Sequence, residues 1–127
     1  MSKFDNSRNL EIKPVFTIGA EAANVINAGI QLVDRKNGNE ITERVAIGWY
    51  LSADANGDAI ATAHSVGASI GTDGLLIEWT ANVAGKVVSE VDGDIDINFE
   101  EAGAKTVYLI LVMPDGKLYA SGAITHA

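Results

Sequence analysis

The chain has 127 residues, 47% of them hydrophobic and 20% charged, with no cysteine and a formal net charge of −8. That length suits one domain burying roughly two-thirds of its unfolded surface, and the composition is that of a globular protein. No disulfide framework or thiolate metal site is possible, and no apolar run approaches the roughly 20 residues of a membrane-spanning helix.

Charge is unevenly placed. Residues 1–50 hold six Lys/Arg and six acids, whereas residues 51–127 hold three Lys against eleven acids, so the net charge falls in the second part. Such a surface repels phosphate backbones, so nucleic acid is not an expected partner, and without a spanning segment neither is a membrane. Residues 1–9 are polar, with no apolar segment behind their charges to make a signal peptide, and are expected to form a flexible arm.

From residue 10 onward a single β-sandwich domain, 10–127, is predicted. Leu10, Ile12, Pro14, Phe16 and Ile18 alternate as in a strand, and the proline assigns that strand to a sheet edge. A connection over Gly19–Ala23 leads to a second strand, Val25–Val33, anchored by Val25, Ile30 and Leu32. Asn37-Gly38 then signals a hairpin. In the next strand, 41–51, Ile41, Val45, Ile47, Trp49 and Leu51 share one face, which makes Trp49 the candidate core residue between two sheets. Residues 52–69 are irregular. Residues 70–79 read as a strand interrupted by Thr72-Asp73-Gly74, and 86–91 as a short strand.

The run Asp94-Ile95-Asp96-Ile97-Asn98-Phe99 alternates acid and apolar, which predicts a half-buried strand. Residues 106–113 are apolar on both faces, as in a central strand covered on two sides. Pro114-Asp115-Gly116 supplies a turn into a last strand, 117–125. Eight short runs with close turn signals and no sustained helical period predict an all-β fold, an immunoglobulin-like β-sandwich of seven or eight short, mostly antiparallel strands. Tyr108, after the Glu100–Lys105 turn, stands where such domains place a tyrosine that hydrogen-bonds the backbone near the turn.

Several residue groups suggest chemistry and are better explained without it. Asp54, Asn56 and Asp58 begin a calcium-loop pattern, but Ala59 and Ser65 stand where the sharp glycine turn and closing glutamate belong, so a plain turn is expected. Asp92, Asp94 and Asp96 stack carboxylates on one strand face; solvation with partial pairing to Lys86 or Lys105 is expected, a bound cation being the alternative. His64 is expected at the surface of the irregular segment, and His126, next to last, to be mobile. Neither has a nucleophile context. Gly67–Gly74 lacks the lysine of a phosphate loop, and Glu100 and Glu101 face opposite ways on a strand. No catalytic, cofactor-binding or metal-ligating residue is therefore assigned, and no enzyme is expected.

Residues 83–86, 89–96, 101–106, 114–118 and 121–125, with Ile70-Gly71-Thr72-Asp73-Gly74-Leu75-Leu76, resemble segments of small immunoglobulin-like proteins encoded by tailed bacteriophages and prophages. The likeness spans roughly 25–127. It implies a virion component made in the host cytoplasm. Such a protein would decorate or cement the outer head by binding the major capsid protein, as a homo-oligomer. The alternative is a tail-associated or host-surface-binding module, which exposed aromatics in one patch, Tyr50 and Trp79 being the candidates, would favour. The resemblance transfers no site residues.

Overall fold

The structure, a computed structural model, describes residues 11–127. The arm expected over 1–9 and the expected strand residue Leu10 lie outside the described residues.

Nine strands follow one another: β1 (Ile12–Ile18), β2 (Val25–Asp34), β3 (Ala46–Ser52), β4 (Gly67–Ile70), β5 (Leu75–Thr80), β6 (Ala84–Val88), β7 (Asp94–Glu100), β8 (Lys105–Val112) and β9 (Leu118–His126). They make two antiparallel sheets, ordered β1-β2-β7-β4 and β5-β6-β3-β8-β9. The fold is an all-β sandwich, as the alternation predicts.

Period-two patterning builds the core directly. Ile26 lies opposite Phe99, Ala28 opposite Ile97 and Ile30 opposite Ile95 in one sheet. In the other, Ile47 faces Val87, Trp49 faces Leu111 and Leu51 faces Leu109. All twelve are buried, and Trp49 meets Phe99 across the sandwich at 6.1 Å between ring centroids. Pro14 sits on edge strand β1, where its missing N–H breaks no ladder. Arg35 ties that edge to the other sheet, donating to the Tyr119 hydroxyl at 3.2 Å and pairing with Glu11 and Asp115.

Some elements differ from expectation, each for a physical reason. Val25 faces away from the core; the inward set on β2 is Ile26, Ala28, Ile30 and Leu32. Asn37-Gly38 does turn the chain, Gly38 at φ 78°, but only Glu40 bridges back to Val33 before the chain crosses to the second sheet. Hence β3 begins at Ala46, while Ile41 and Val45 are buried in the crossing. The run 70–79 is two strands in different sheets, with Thr72-Asp73-Gly74 as the crossover, so there are nine strands rather than seven or eight. Ile110 is buried on the outer face of β8, and its second cover is a loop, not a sheet: Gly57 of the 53–60 segment lies over it. Tyr108 points outward, half-buried, and its hydroxyl has no hydrogen bond among the described residues, so it does not make the expected corner.

Candidate functional site

The outer face of the five-stranded sheet carries an apolar surface that the core does not need. Edge strand β5 leaves Leu75, Ile77 and Trp79 exposed, Trp79 most of all at 70%, and Ile60 stands nearby at 64%. Trp79, Ile60, Tyr50, Val112, Gly48 and Asp58 line a shallow open groove of ≈ 520 Å³.

Local chemistry sets this surface. Between Glu78 and Thr80 the register of β5 against β6 shifts, and Trp79 is the extra residue of that bulge. Gly85 permits it: a β-carbon there would lie 1.9 Å from the Ile77 carbonyl oxygen. The adjoining turn is pinned by Asn82, left-handed at φ 63°. The Asn82 N–H donates to the Glu78 carboxylate at 2.7 Å, and its side-chain carbonyl accepts the Ala68 N–H at 3.2 Å. On the far wall, Asp54 Oδ1 accepts the N–H groups of Asn56, Gly57 and Asp58, at 3.1, 2.9 and 3.1 Å. Those bonds, that from Asp58 foremost, hold the Asp54 carboxyl below its ordinary range. The Tyr50 hydroxyl donates to the Gly57 carbonyl at 2.7 Å, locking the loop beneath Ile60. Burial, with the charges of Asp58 and Asp54, pushes the Tyr50 phenol up. The incomplete calcium pattern is thus a loop whose first carboxylate is filled by its own backbone.

The acidic ladder is arranged differently from expectation. Asp92 lies in a turn, and only Asp94 and Asp96 stand on the outer face of β7. Neither expected lysine pairs with them. Lys86 is on β6 in the opposite sheet, and Lys105 donates to the Ala63 carbonyl at 2.9 Å beside Glu101. Asp96 is instead satisfied by N–H donors: Thr72 and Asp73 reach Oδ1 at 2.9 and 2.7 Å, and Asn27 reaches Oδ2 at 2.9 Å. Burial pushes its carboxyl up, but the bonds from Asp73, Thr72 and Asn27 outweigh that and hold it below the ordinary range. Asp94, lacking such donors, is raised by burial and then by the charges of Asp92, Asp73 and Glu40.

Both histidines depart furthest from expectation. His64 and His126 are buried, 2% and 1% exposed, with their Nε2 atoms 3.1 Å apart. His64 packs on Phe99 at 5.6 Å between centroids, so it closes one end of the core. Nearby, Glu101 accepts from the Ser65 hydroxyl at 2.7 Å and from the Ser65 N–H at 3.0 Å, which holds its carboxyl down at about 2. Glu100 faces the other way, half-buried, as alternation requires.

Tyr50 and Trp79, singled out in the sequence, come together in one groove. Ile60 and the bulge at Trp79 were missed, because a register shift leaves no compositional mark. The histidines carried no signal either, their burial being decided by contacts distant in sequence. Searched against known proteins, the chain matches no family model and no curated protein.

Proposed function

We propose that this protein is a structural docking module of a tailed-phage virion, a head decoration or cement protein that binds the major capsid protein through the Trp79–Ile60 surface. The carrying observation is a large aromatic held 70% exposed by a bulge, a close-packed glycine and a pinned turn. Aromatic residues of that kind anchor protein interfaces.

The strand order supports the immunoglobulin-like reading. Taking β1, β2, β3, β4, β7, β8 and β9 as strands A to G gives ABED on one sheet and CFG on the other. The β5–β6 hairpin is then an addition, laid beside the C strand, and it carries Leu75, Ile77 and Trp79. The acidic remainder of the surface suits a protein facing solvent on a crowded shell. Weak contacts repeated over a lattice gain by avidity, and a homo-oligomer at capsomer junctions fits that arrangement.

A tail-associated or host-surface-binding role is the second reading, favoured by Tyr50 and Trp79 sharing a groove. The groove fits a protein partner better than a sugar. Its walls are mainly apolar, and the Tyr50 hydroxyl is already committed to Gly57.

Electron cryomicroscopy of virions with and without the protein separates the two. Density lost from the head surface, and restored by adding back wild-type protein but not Trp79→Ala, supports decoration. Density lost from the tail with the head unchanged overturns it.

A further inference from the structure

The buried histidines form a chain with one carboxylate, and its hydrogen positions follow from its ends. Glu21 lies on the β1–β2 connection; its Oε1 accepts the Ala127 N–H at 2.9 Å, and its Oε2 lies 3.4 Å from His126 Nδ1. A carboxylate only accepts, so His126 carries its proton on Nδ1 and, when neutral, leaves Nε2 bare. His64 must then donate from Nε2 across the 3.1 Å contact. That leaves His64 Nδ1 bare, and this buried atom has no partner among the described residues. The neutral arrangement is thus self-consistent, with each N–H of the chain used.

One more proton breaks it. On His126 Nε2, where Glu21 favours the charge, it would point one N–H at another over 3.1 Å or force the His64 proton onto Nδ1, which has no acceptor. On His64 Nδ1 it would bury an unpartnered donor and a charge beside Phe99. Charged groups on neighbouring elements do not supply the acceptor that His64 lacks. Lys105 on β8 is a cation held at the Ala63 carbonyl, next to His64. Glu101, at the end of β7, already accepts from Ser65 N–H, Ser65 hydroxyl and Gly103 N–H. Glu21 sits on the far side of His126, away from His64.

We propose that Glu21, His126 and His64 are a proton-operated latch. The latch fastens the end of β9 and the segment 61–66 to the β1–β2 connection and releases them when the imidazole pair takes up a proton. Release is local, because the paired core of β2, β7, β3 and β8 contains none of the three residues.

Hydrogen exchange on the full chain, corrected for intrinsic rate and compared at pH about 7 and about 4.5, tests this. Peptides covering 61–66 and the end of β9 are expected to exchange about tenfold faster or more at the acid pH and to be the least protected, with β2, β7 and the β3-paired part of β8, Tyr108–Val112, still the most protected. His64→Gln/His126→Gln, which keeps amide donors but cannot titrate, should lose that response. Equal exchange at both pH values, acid release persisting in the double variant, or core strands exchanging as fast as those two peptides would each overturn the latch. Imidazole nitrogen NMR on the wild type needs no variant. It should find His126 protonated on Nδ1 and His64 on Nε2 near neutrality, with the end of β9 shifting as the rings titrate. A His64 Nδ1–H tautomer, or ring titration leaving those amides unmoved, contradicts it.

Discussion

The two outer faces of the sandwich are built on the same inward pattern and end up opposite in character. On the β1-β2-β7-β4 sheet the outward groups of β2 and β7 bind one another, and Val15 on edge strand β1 is the exposed apolar residue. Asn27 donates to Asp96 and Asn98 at 2.9 and 2.8 Å, and Gln31 donates to the Asp92 carbonyl at 2.8 Å. On the β5-β6-β3-β8-β9 sheet, Leu75, Ile77 and Trp79 face water beside Ile60. Apart from Ile110, capped by the 53–60 loop, the sandwich takes its core from its inner faces, so the exposed ridge of Leu75, Ile77 and Trp79 has little part in it. The contrast separates what holds the protein together from the surface proposed to dock.

Substitution should make that separation measurable. Phe99→Ala removes the ring between Trp49 and His64 and should cost about 3–5 kcal/mol in denaturant unfolding. Trp79→Ala, on the opposite kind of surface, should stay within about 0.5 kcal/mol of wild type while abolishing docking. A large stability loss from the second change would make Trp79 a core residue and erase the distinction.

Acid should act next most strongly, and at the histidine end. Burial, then the nearby His126 and Lys105 charges, pushes His64 down from 6.5 to about 4. Its folded value lies below its unfolded one, so the unfolded chain binds more protons between them. Stability is therefore full above about pH 6.5 and falls as pH drops toward about 4, by about 3 kcal/mol. Unfolding midpoints measured across that window in wild type and His64→Gln check it; equal slopes would contradict the assignment.

The polar face should respond least. Asp96→Asn retains one acceptor oxygen for Thr72 and Asp73 but loses the charge, and should cost about 1–2 kcal/mol. Because the Asp96 carboxyl is held below its ordinary range, its contribution is present above 3.8 and fades as pH falls through the lower folded value. A stability deficit that persists unchanged at strongly acid pH would show that the charge was not the cause.

Most of the fold was legible in the sequence, since alternation specifies an inward face wherever a strand is half-buried. Asp94–Phe99, Ile47–Leu51 and the edge proline at position 14 all took their expected places. What escaped was long-range. Thr72-Asp73-Gly74 looks like any tight turn, yet it carries the chain between sheets because Asp96, 23 and 24 residues on, captures its N–H groups. The two-residue turn at Ala23-Asn24, both left-handed at φ 52° and 71°, was hidden by an alanine where glycine or asparagine is the usual mark. The candidate site was half legible: Tyr50 and Trp79 could be named, but the bulge that exposes Trp79 depends on Gly85 packing against a carbonyl in the neighbouring strand.

Fluorescence quenching during docking tests the central claim most directly, because the two tryptophans report the two regions. Trp49, 2% exposed, should resist acrylamide throughout, whereas Trp79, 70% exposed, should be quenched freely in the isolated protein. On adding virion heads that lack the protein, the proposed decoration role predicts that Trp79 becomes protected as binding saturates. Saturable binding with Trp79 still fully quenched would contradict it.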